Sequence, residues 1–165
     1  MTQAEDFTKY WRNKIQGSTA ELDLMEKLIQ FGIEPRYGGE TTAVDVFAKT
    51  KEKLVLIQVK STRDNSRVIE RDDIISLLRD ALYFATYPLF DIAFFTNEIP
   101  EHYFIPVEEL VSRISQKTVS VSKNRIRKFN RLDFETFQKR MKECTFPIMR
   151  FDQSQFESWI DALLQ

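Results

Sequence analysis

The sequence predicts an α/β fold in which helices flank a mixed central β-sheet. Two stretches with helical spacing of apolar residues are each followed by two short β-rich runs, so the order is helix, strand, strand, helix, strand, strand. The chain has 165 residues, is 42% hydrophobic and contains 14 Phe, which suffices for one packed core. We expect a core domain over residues 1–120 and a basic, then helical extension over residues 121–165 that packs on it.

The first predicted helix covers residues 18–31, where apolar side chains recur at intervals of three and four. Ser18 and Glu21 have the spacing of a capping box, in which each side chain bonds the backbone N–H of the other residue. Gly32 follows as a residue that ends helices. Glu21 therefore lies about one turn into the predicted helix.

Two β-rich runs come next, TAVDVFAKT and LVLIQVKST, separated by the charged turn 51–53. We expect them to form a hairpin whose second run is a central strand buried on both faces. Because side chains alternate along a strand, Gln58 and Lys60 project from the same face. The hairpin is expected to bring Asp45 close to both of them.

The second half of the core repeats the pattern. A second helix is predicted at about residues 71–87, and Pro88 ends it. Apolar β-rich runs at 90–97 and 102–110 predict two further strands. A last short helix is predicted within residues 151–165.

Composition excludes several kinds of site and protein. Cys144 is the only cysteine and His102 the only histidine, so neither an internal disulfide nor a zinc site is expected. A metal would have oxygen ligands, which favours magnesium or calcium. No apolar run approaches the roughly 20 residues that span a bilayer, and the N-terminus is acidic, unlike a secretory signal. We expect a soluble, intracellular protein without a membrane partner.

Basic residues cluster in the stretch 123–142, although the net charge of the whole chain is only −1. Such a stretch is either a solvated helix face or a surface for a polyanion such as DNA. The candidate DNA-contacting residues within it are Lys123, Arg125, Arg127, Lys128 and Arg131. Further candidates follow the central strand and can either contact phosphates or pair with neighbouring acids: Arg63, Arg67 and Arg71.

Asp45, Gln58 and Lys60 interrupt apolar runs in which unpartnered polar groups are costly to bury. A shared metal and phosphate site would supply the partners. Oxygens of Asp45 and Gln58 can ligate Mg²⁺, and the Lys60 ammonium can stabilise charge at the phosphate. Glu21 is placed to add a second carboxylate. The alternative is that the D…QxK pattern arises by chance and that Glu21 only completes its capping box.

The segments GSTAELDLMEKL, VDVFA and LIQVKST resemble the PD-(D/E)XK nuclease superfamily, with its helix glutamate, strand aspartate and (D/E)XK strand. Within it, residues 17–110 resemble the branch that contains group I intron-encoded homing endonucleases. The resemblance implies a restriction-endonuclease-like core and a site-specific double-strand DNA endonuclease that uses Mg²⁺, with Mn²⁺ as a substitute. It implies Glu21, Asp45, Gln58 and Lys60 as catalytic positions, with the metal held by the first three.

The sequence departs from the superfamily motif at Val44, which replaces a proline, and at Gln58, which replaces an acid. The amide lowers the negative charge of the site and should hold a cation more weakly than a carboxylate. Two alternatives to intron homing stay open: a Holliday junction resolvase on the same core, and an inactive DNA-binding module. Because one active site per chain must cut two strands, we expect a homo-oligomer, either a dimer or a tetramer.

Overall fold

The computed structural model describes residues 2–38, 44–49, 54–84, 86–125, 139 and 153–165. The helices with described bounds are α1 (Gln3–Gln30), α2 (Arg71–Phe84) and α3 (Gln153–Leu164). The strands are β1 (Glu34–Tyr37), β2 (Val46–Lys49), β3 (Leu54–Thr62), β4 (Ser66–Glu70), β5 (Tyr87–Phe95), β6 (Pro100–Pro106) and β7 (Thr118–Ser122). None of the helices within these ranges is long and apolar enough to cross a membrane.

The central sheet has the strand order β1-β2-β3-β5-β6. Strands β3 and β5 are parallel, whereas the β1–β2, β2–β3 and β5–β6 pairs are antiparallel. The β2–β3 pair is the predicted hairpin, with Val46 opposite Ile57. The structure therefore confirms the predicted α/β fold with a mixed sheet.

Helices cover both faces of the central sheet. On one face, Leu24 of α1 packs in a cluster with Ile57 of β3. On the other face, Leu77 of α2 packs in a cluster with Leu56. Because side chains alternate along β3, even-numbered residues such as Lys60 project toward α2, and the polar positions of this strand share one face.

A second, two-stranded sheet joins β4 to β7, with Ile69 opposite Val119. Both residues belong to the core cluster under α2, which also contains Phe156 and Ile160 of α3. Arg79 of α2 bonds both carboxylate oxygens of Glu157 at 3.1 Å. Strand β7 spans the expected boundary at residue 120, and α3 packs on the core.

Helix α1 is much longer than the sequence predicts. It begins after Thr2, which forms a capping box with Glu5. The predicted capping box of Ser18 and Glu21 is wrong, because both residues lie inside the helix, where neither terminal N–H needs a cap. The expected end is confirmed: Gly32 adopts a positive φ of 76°, which glycine tolerates without strain.

Helix α2 ends at Phe84, three residues earlier than predicted. Tyr87 and Pro88 already belong to β5, where they lie in register with Val55 and Leu56 of β3. Pairing with the parallel central strand thus begins before the proline that the sequence suggested as the end of the helix.

Candidate active site

Asp45 lies in the loop just before β2 and is fixed against β3. Its backbone N–H donates to the carbonyl of Ile57 at 2.9 Å, and its Oδ2 accepts from the N–H of Val59 at 2.7 Å. On the other side, the N–H of Gly38 donates to the Asp45 carbonyl at 2.8 Å. A Cβ at Gly38 would overlap the carbonyl oxygen of Val44, so this close approach requires glycine.

Gln58 and Lys60 extend from β3 as the alternation predicts. The Nζ of Lys60 forms an ion pair with Oδ2 of Asp73, in the first turn of α2, at 2.7 Å. Gln58 is half-buried, and its Oε1 is buried with no hydrogen-bond partner within the described ranges. This face of β3 therefore carries two groups. One is the Lys60 ammonium, which is paired with Asp73, and the other is the Gln58 amide oxygen, which has no donor among the described residues.

Glu21 and Asp45 interact across the gap between α1 and the hairpin. Burial and the charge of Asp45 raise the pKa of Glu21 to about 7. Burial also raises the pKa of Asp45, against the lowering effects of the Val59 N–H and of the Lys60 charge. Two partly buried acids whose charged forms are disfavoured are typical of functional sites.

These groups fit a divalent cation with oxygen ligands. A cation would offset the repulsion between Glu21 and Asp45 and would give the Gln58 Oε1 an electropositive partner. In the part of the chain that the structure describes, no three His, Cys, Asp or Glu side chains cluster as a metal site. Glu21, Asp45 and Gln58 are the candidate ligands.

Asp73 is a site residue that the sequence did not single out. From the sequence it is one of the acids that neighbour the arginines after β3, whereas in the structure its carboxylate pairs with Lys60. Its charge also contributes to the raised pKa of Asp45. Its position in the sequence was the available signal: Asp73 lies in the first turn of α2, the helix that follows the QxK strand and β4.

The three arginines after β3 have different surroundings. Arg63 is exposed, and its guanidinium lies over the ring of Phe95 at 5.6 Å from the centroid. Arg67 of β4 is half-buried and donates from Nη1 to the Val68 carbonyl at 2.8 Å. Arg71 is the first residue of α2. Of the three, Arg63 is the one that is exposed beside the end of β3.

Within the basic stretch 123–142, the structure describes residues 123–125 and residue 139. Lys123 pairs with Glu101 at 3.2 Å and lies over the ring of Phe94, so part of its charge is already balanced. Arg125 is exposed at the end of a short 3₁₀ turn. The remaining predicted DNA contacts lie outside the described residues: Arg127, Lys128 and Arg131.

A buried chain of charged groups connects α1 to β5 and β6. His102 Nδ1 lies 2.6 Å from Oδ2 of Asp91, and its Nε2 lies 2.7 Å from Oδ2 of Asp23. Asp23 also pairs with Lys27 at 3.0 Å. The side chains of His102 and Asp91 are 0% exposed. Carboxylate oxygens face both ring nitrogens, and when both acids are ionised both nitrogens donate, which makes the ring an imidazolium.

The pKa directions agree with a charged His102. Burial alone would lower its pKa, but the charge of Asp91 and the hydrogen bonds from Asp23 and Asp91 outweigh burial and raise the pKa to about 9. The hydrogen bond with His102 lowers the pKa of Asp23. The ion pairs among Lys27, Asp23, His102 and Asp91 fix a charge at Asp23, two residues along α1 from Glu21. They therefore anchor the helix turn that carries the site glutamate.

Comparison with known proteins places this site in a family. The archaeal Holliday junction resolvase (Hjc) family matches residues 12–146. The structure of Hjc from Archaeoglobus fulgidus is similar, with a TM-score of 0.55 and 17% sequence identity over 66% of this chain and 84% of that chain. A bacterial homing endonuclease, I-Ssp6803I, covers 91% of this chain and 92% of its own at 16% identity, with a TM-score of 0.41. No curated protein matches the sequence.

The family match extends over Glu21, Asp45, Gln58 and Lys60. It confirms the nuclease resemblance, and it favours the resolvase alternative over intron homing. The likeness to the Archaeoglobus structure confirms the restriction-endonuclease-like fold. The chain is thus a DNA endonuclease, a phosphodiester hydrolase, and it belongs to the archaeal Holliday junction resolvase family.

Proposed function

We propose that this chain is a Mg²⁺-dependent endonuclease that cuts four-way DNA junctions. The observation that carries the proposal is the Hjc family match, which spans every residue of the candidate active site. The donor-free oxygen of Gln58 and the mutually repelling carboxylates of Glu21 and Asp45 support metal dependence. We propose the same three residues as metal ligands, and Mn²⁺ as a cation that can replace Mg²⁺.

In this proposal, some side chains of the site bind the metal and others stabilise charge on the phosphate. A bound divalent cation would supply Lewis-acid stabilisation of the scissile phosphate. Lys60 places an ammonium on the same face of β3 as Gln58, where it can offset the charge that develops on the phosphate during hydrolysis. Asp73 holds that ammonium at 2.7 Å and so fixes its position before DNA binds. Asp45 is itself held by the backbone of β3, which keeps its carboxylate in place.

We also propose that two or more copies act together on one junction. Each chain carries one candidate site, and two strands must be cut to separate a junction, which a symmetric homo-oligomer achieves. Arg63 and Arg125 are exposed and are proposed phosphate contacts. The other predicted DNA contacts remain predictions: Arg67, Arg71, Lys123, Arg127, Lys128 and Arg131.

Cleavage of matched DNA substrates tests the proposal. A synthetic junction with a fixed branch point is compared with linear duplexes of the same arm sequences, in the presence and absence of Mg²⁺. We expect cutting of the junction, only with metal, at rates well above those for any duplex. Preferential cutting of one long duplex sequence would favour the homing alternative instead. Absence of cleavage with Mg²⁺ or Mn²⁺ would favour the inactive DNA-binding module.

Two substitutions of Gln58 test whether its amide oxygen is a metal ligand. If the amide oxygen is a ligand, Gln58→Ala should slow junction cleavage more than tenfold, which is at least ~1.4 kcal/mol of barrier. Gln58→Glu restores the acid of the superfamily motif and should keep activity at lower Mg²⁺ concentration, because a carboxylate binds the cation more tightly. The measurement is the cleavage rate against Mg²⁺ concentration for all three proteins.

A matched control is Gln116→Ala, which removes an exposed glutamine from the turn before β7. This variant should cut like the wild type. If Gln58→Ala also cuts as fast as the wild type at every metal concentration, Gln58 is not a ligand and the alignment of β3 to the nuclease motif is incorrect.

A further inference from the structure

The N-terminal half of α1 carries an exposed aromatic and basic surface that the candidate active site does not use. Residues 7–16 contain three Lys or Arg and no acidic residue. Large apolar side chains in this stretch are 45–65% exposed, namely Phe7, Tyr10, Trp11 and Ile15. Apolar side chains exposed together in this way mark an interaction surface.

This surface forms one wall of a cleft of about 570 Å³. Phe7, Trp11 and Ile15 line the cleft from α1, one helical turn apart. Arg63 and Phe95 line it from the end of the sheet. This volume falls in the range of roughly 300–1,000 Å³ that is usual for ligand pockets.

The cleft adjoins the candidate active site through β3. Gln16, which also lines the cleft, donates from Nε2 to Oγ of Ser61 at 3.1 Å. Ser61 directly follows Lys60, and Arg63 lies three residues beyond Lys60. The cleft therefore begins one residue beyond Lys60 along β3, on the face that α1 covers.

The chemistry of the lining fits a nucleobase flanked by phosphates. Arg12 and Arg63 contribute two positive charges against one acid, Glu98. Trp11 makes edge-to-face contacts with Phe7 and Tyr10, with ring centroids at 6.0 Å and 5.6 Å, which orient its ring. Aromatic rings next to cations bind nucleic acid by stacking on bases while the cations follow the backbone.

We propose that this cleft binds an unstacked nucleobase at the branch point of the DNA junction. In a continuous duplex both faces of a base are covered by its neighbours, so an aromatic side chain can stack only on a base that has left the stack. At the branch point of an open four-way junction the stacking between arms is interrupted, so a base there leaves the stack at lower cost than a base within a linear arm. The inference rests on the proposed function and adds a source of selectivity for junctions over duplex.

The emission of Trp11 tests the proposal directly. The chain has two tryptophans, so in a Trp159→Phe background Trp11 is the only one. Titration without metal allows binding without metal-dependent cleavage. We expect a four-way junction and a single-stranded oligonucleotide to quench the emission, and a linear duplex of the same arm sequence to quench it far less. Equal quenching by duplex and junction would overturn the proposal.

Affinities of Trp11 variants provide a second measurement. Trp11→Ala should weaken junction binding about tenfold, whereas Trp11→Phe, which can still stack, should keep most of the affinity. Duplex affinity should be unchanged in both. Tyr83→Ala is the matched control, because Tyr83 is an aromatic residue of α2 that is 83% exposed and lies outside the cleft lining. A loss for Trp11→Ala no larger than for Tyr83→Ala contradicts base stacking.

A second copy of this chain is the alternative occupant of the surface. In that case Trp11 emission would change with protein concentration in the absence of DNA, and Trp11→Ala would dissociate the oligomer in sedimentation, which overturns the proposal. The proposed function is judged separately by wild-type cleavage. If junctions are not cut but single strands quench Trp11, the proposed function fails and base binding stands. If junctions are cut and Trp11 does not respond, the cleft assignment alone fails.

Discussion

Replacing Lys60 with alanine is expected to slow cleavage of a four-way junction by about 10²–10³-fold while junction affinity stays within about threefold. The ammonium stabilises charge that develops only during the reaction, so its removal affects the transition state more than the bound substrate. Single-turnover cleavage rates at a fixed Mg²⁺ concentration and gel-shift affinities without metal measure the two effects. A wild-type rate for this variant would remove Lys60 from the active site.

Two controls separate chemistry from structure in this experiment. Lys49→Ala removes the same charge from an exposed position at the far end of the neighbouring strand β2, and it should cut normally. The unfolding temperature of Lys60→Ala should change little, because Asp73, its ion-pair partner, is 32% exposed and can be solvated when the ammonium is lost. A strongly lowered unfolding temperature would mean that the loss of cleavage reflects the fold.

The part of the candidate site that the sequence predicts is the part set by local rules. Alternation along a strand places Gln58 and Lys60 on one face, and hairpin pairing brings Asp45 beside β3, as its bond to Val59 shows. Both rules act over a few residues and need no knowledge of distant packing. In the structure, Asp45 is bonded to β3 and lies within reach of the Lys60 charge.

The elements that the sequence missed depend on tertiary contacts or lack a core-facing stripe. The N-terminal half of α1 lacks buried residues, since Ala20 is the first residue of the helix in the core, and the periodicity expected of a packed helix is absent there. Strands β4 and β7 are five residues each and pair only with each other over a long sequence separation. Their existence depends on the partner strand more than on local pattern.

The same distinction applies to single residues of the site. Asp73 meets Lys60 only because α2 packs on the β3 face, and Gly38 is required only because Val44 passes so close to it. The sequence argues against a zinc site at His102 but indicates none of its partners, because nothing local connects it to Asp91 on β5 and Asp23 on α1. A single histidine in an apolar strand carries no sequence signal of its partners.

Replacing His102 with alanine is expected to reduce the free energy of unfolding by about 3–5 kcal/mol near neutral pH. The substitution leaves Asp91 fully buried without its cation, and Oδ1 of Asp91 already has no hydrogen-bond partner among the described residues. Denaturant unfolding measures the effect. Lys27→Ala is the matched control: it removes another cation from Asp23, but a side chain 32% exposed should cost less than about 1 kcal/mol. If the two variants lose the same free energy of unfolding, the buried His102–Asp91 pair stabilises the fold no more than the exposed Lys27–Asp23 pair does.

The buried pair also makes stability depend on pH, with a sign fixed by the raised pKa of His102. That pKa is about 9 in the folded protein and 6.5 for an ordinary histidine. The stability from the charged ring is therefore fully present below about pH 6.5 and is lost as pH rises through about 9, ~3 kcal/mol in total. The groups that face the ring are Asp91 and Asp23, with Lys27 behind Asp23. Burial raises the pKa of Asp91 as well, and the charge of His102 and its hydrogen bond oppose that rise. Between about pH 6 and pH 9.5, the free energy of unfolding should fall more steeply in the wild type than in the double variant His102→Ala, Asp91→Asn, which removes both titrating groups of the buried pair, and parallel curves would contradict a charged His102.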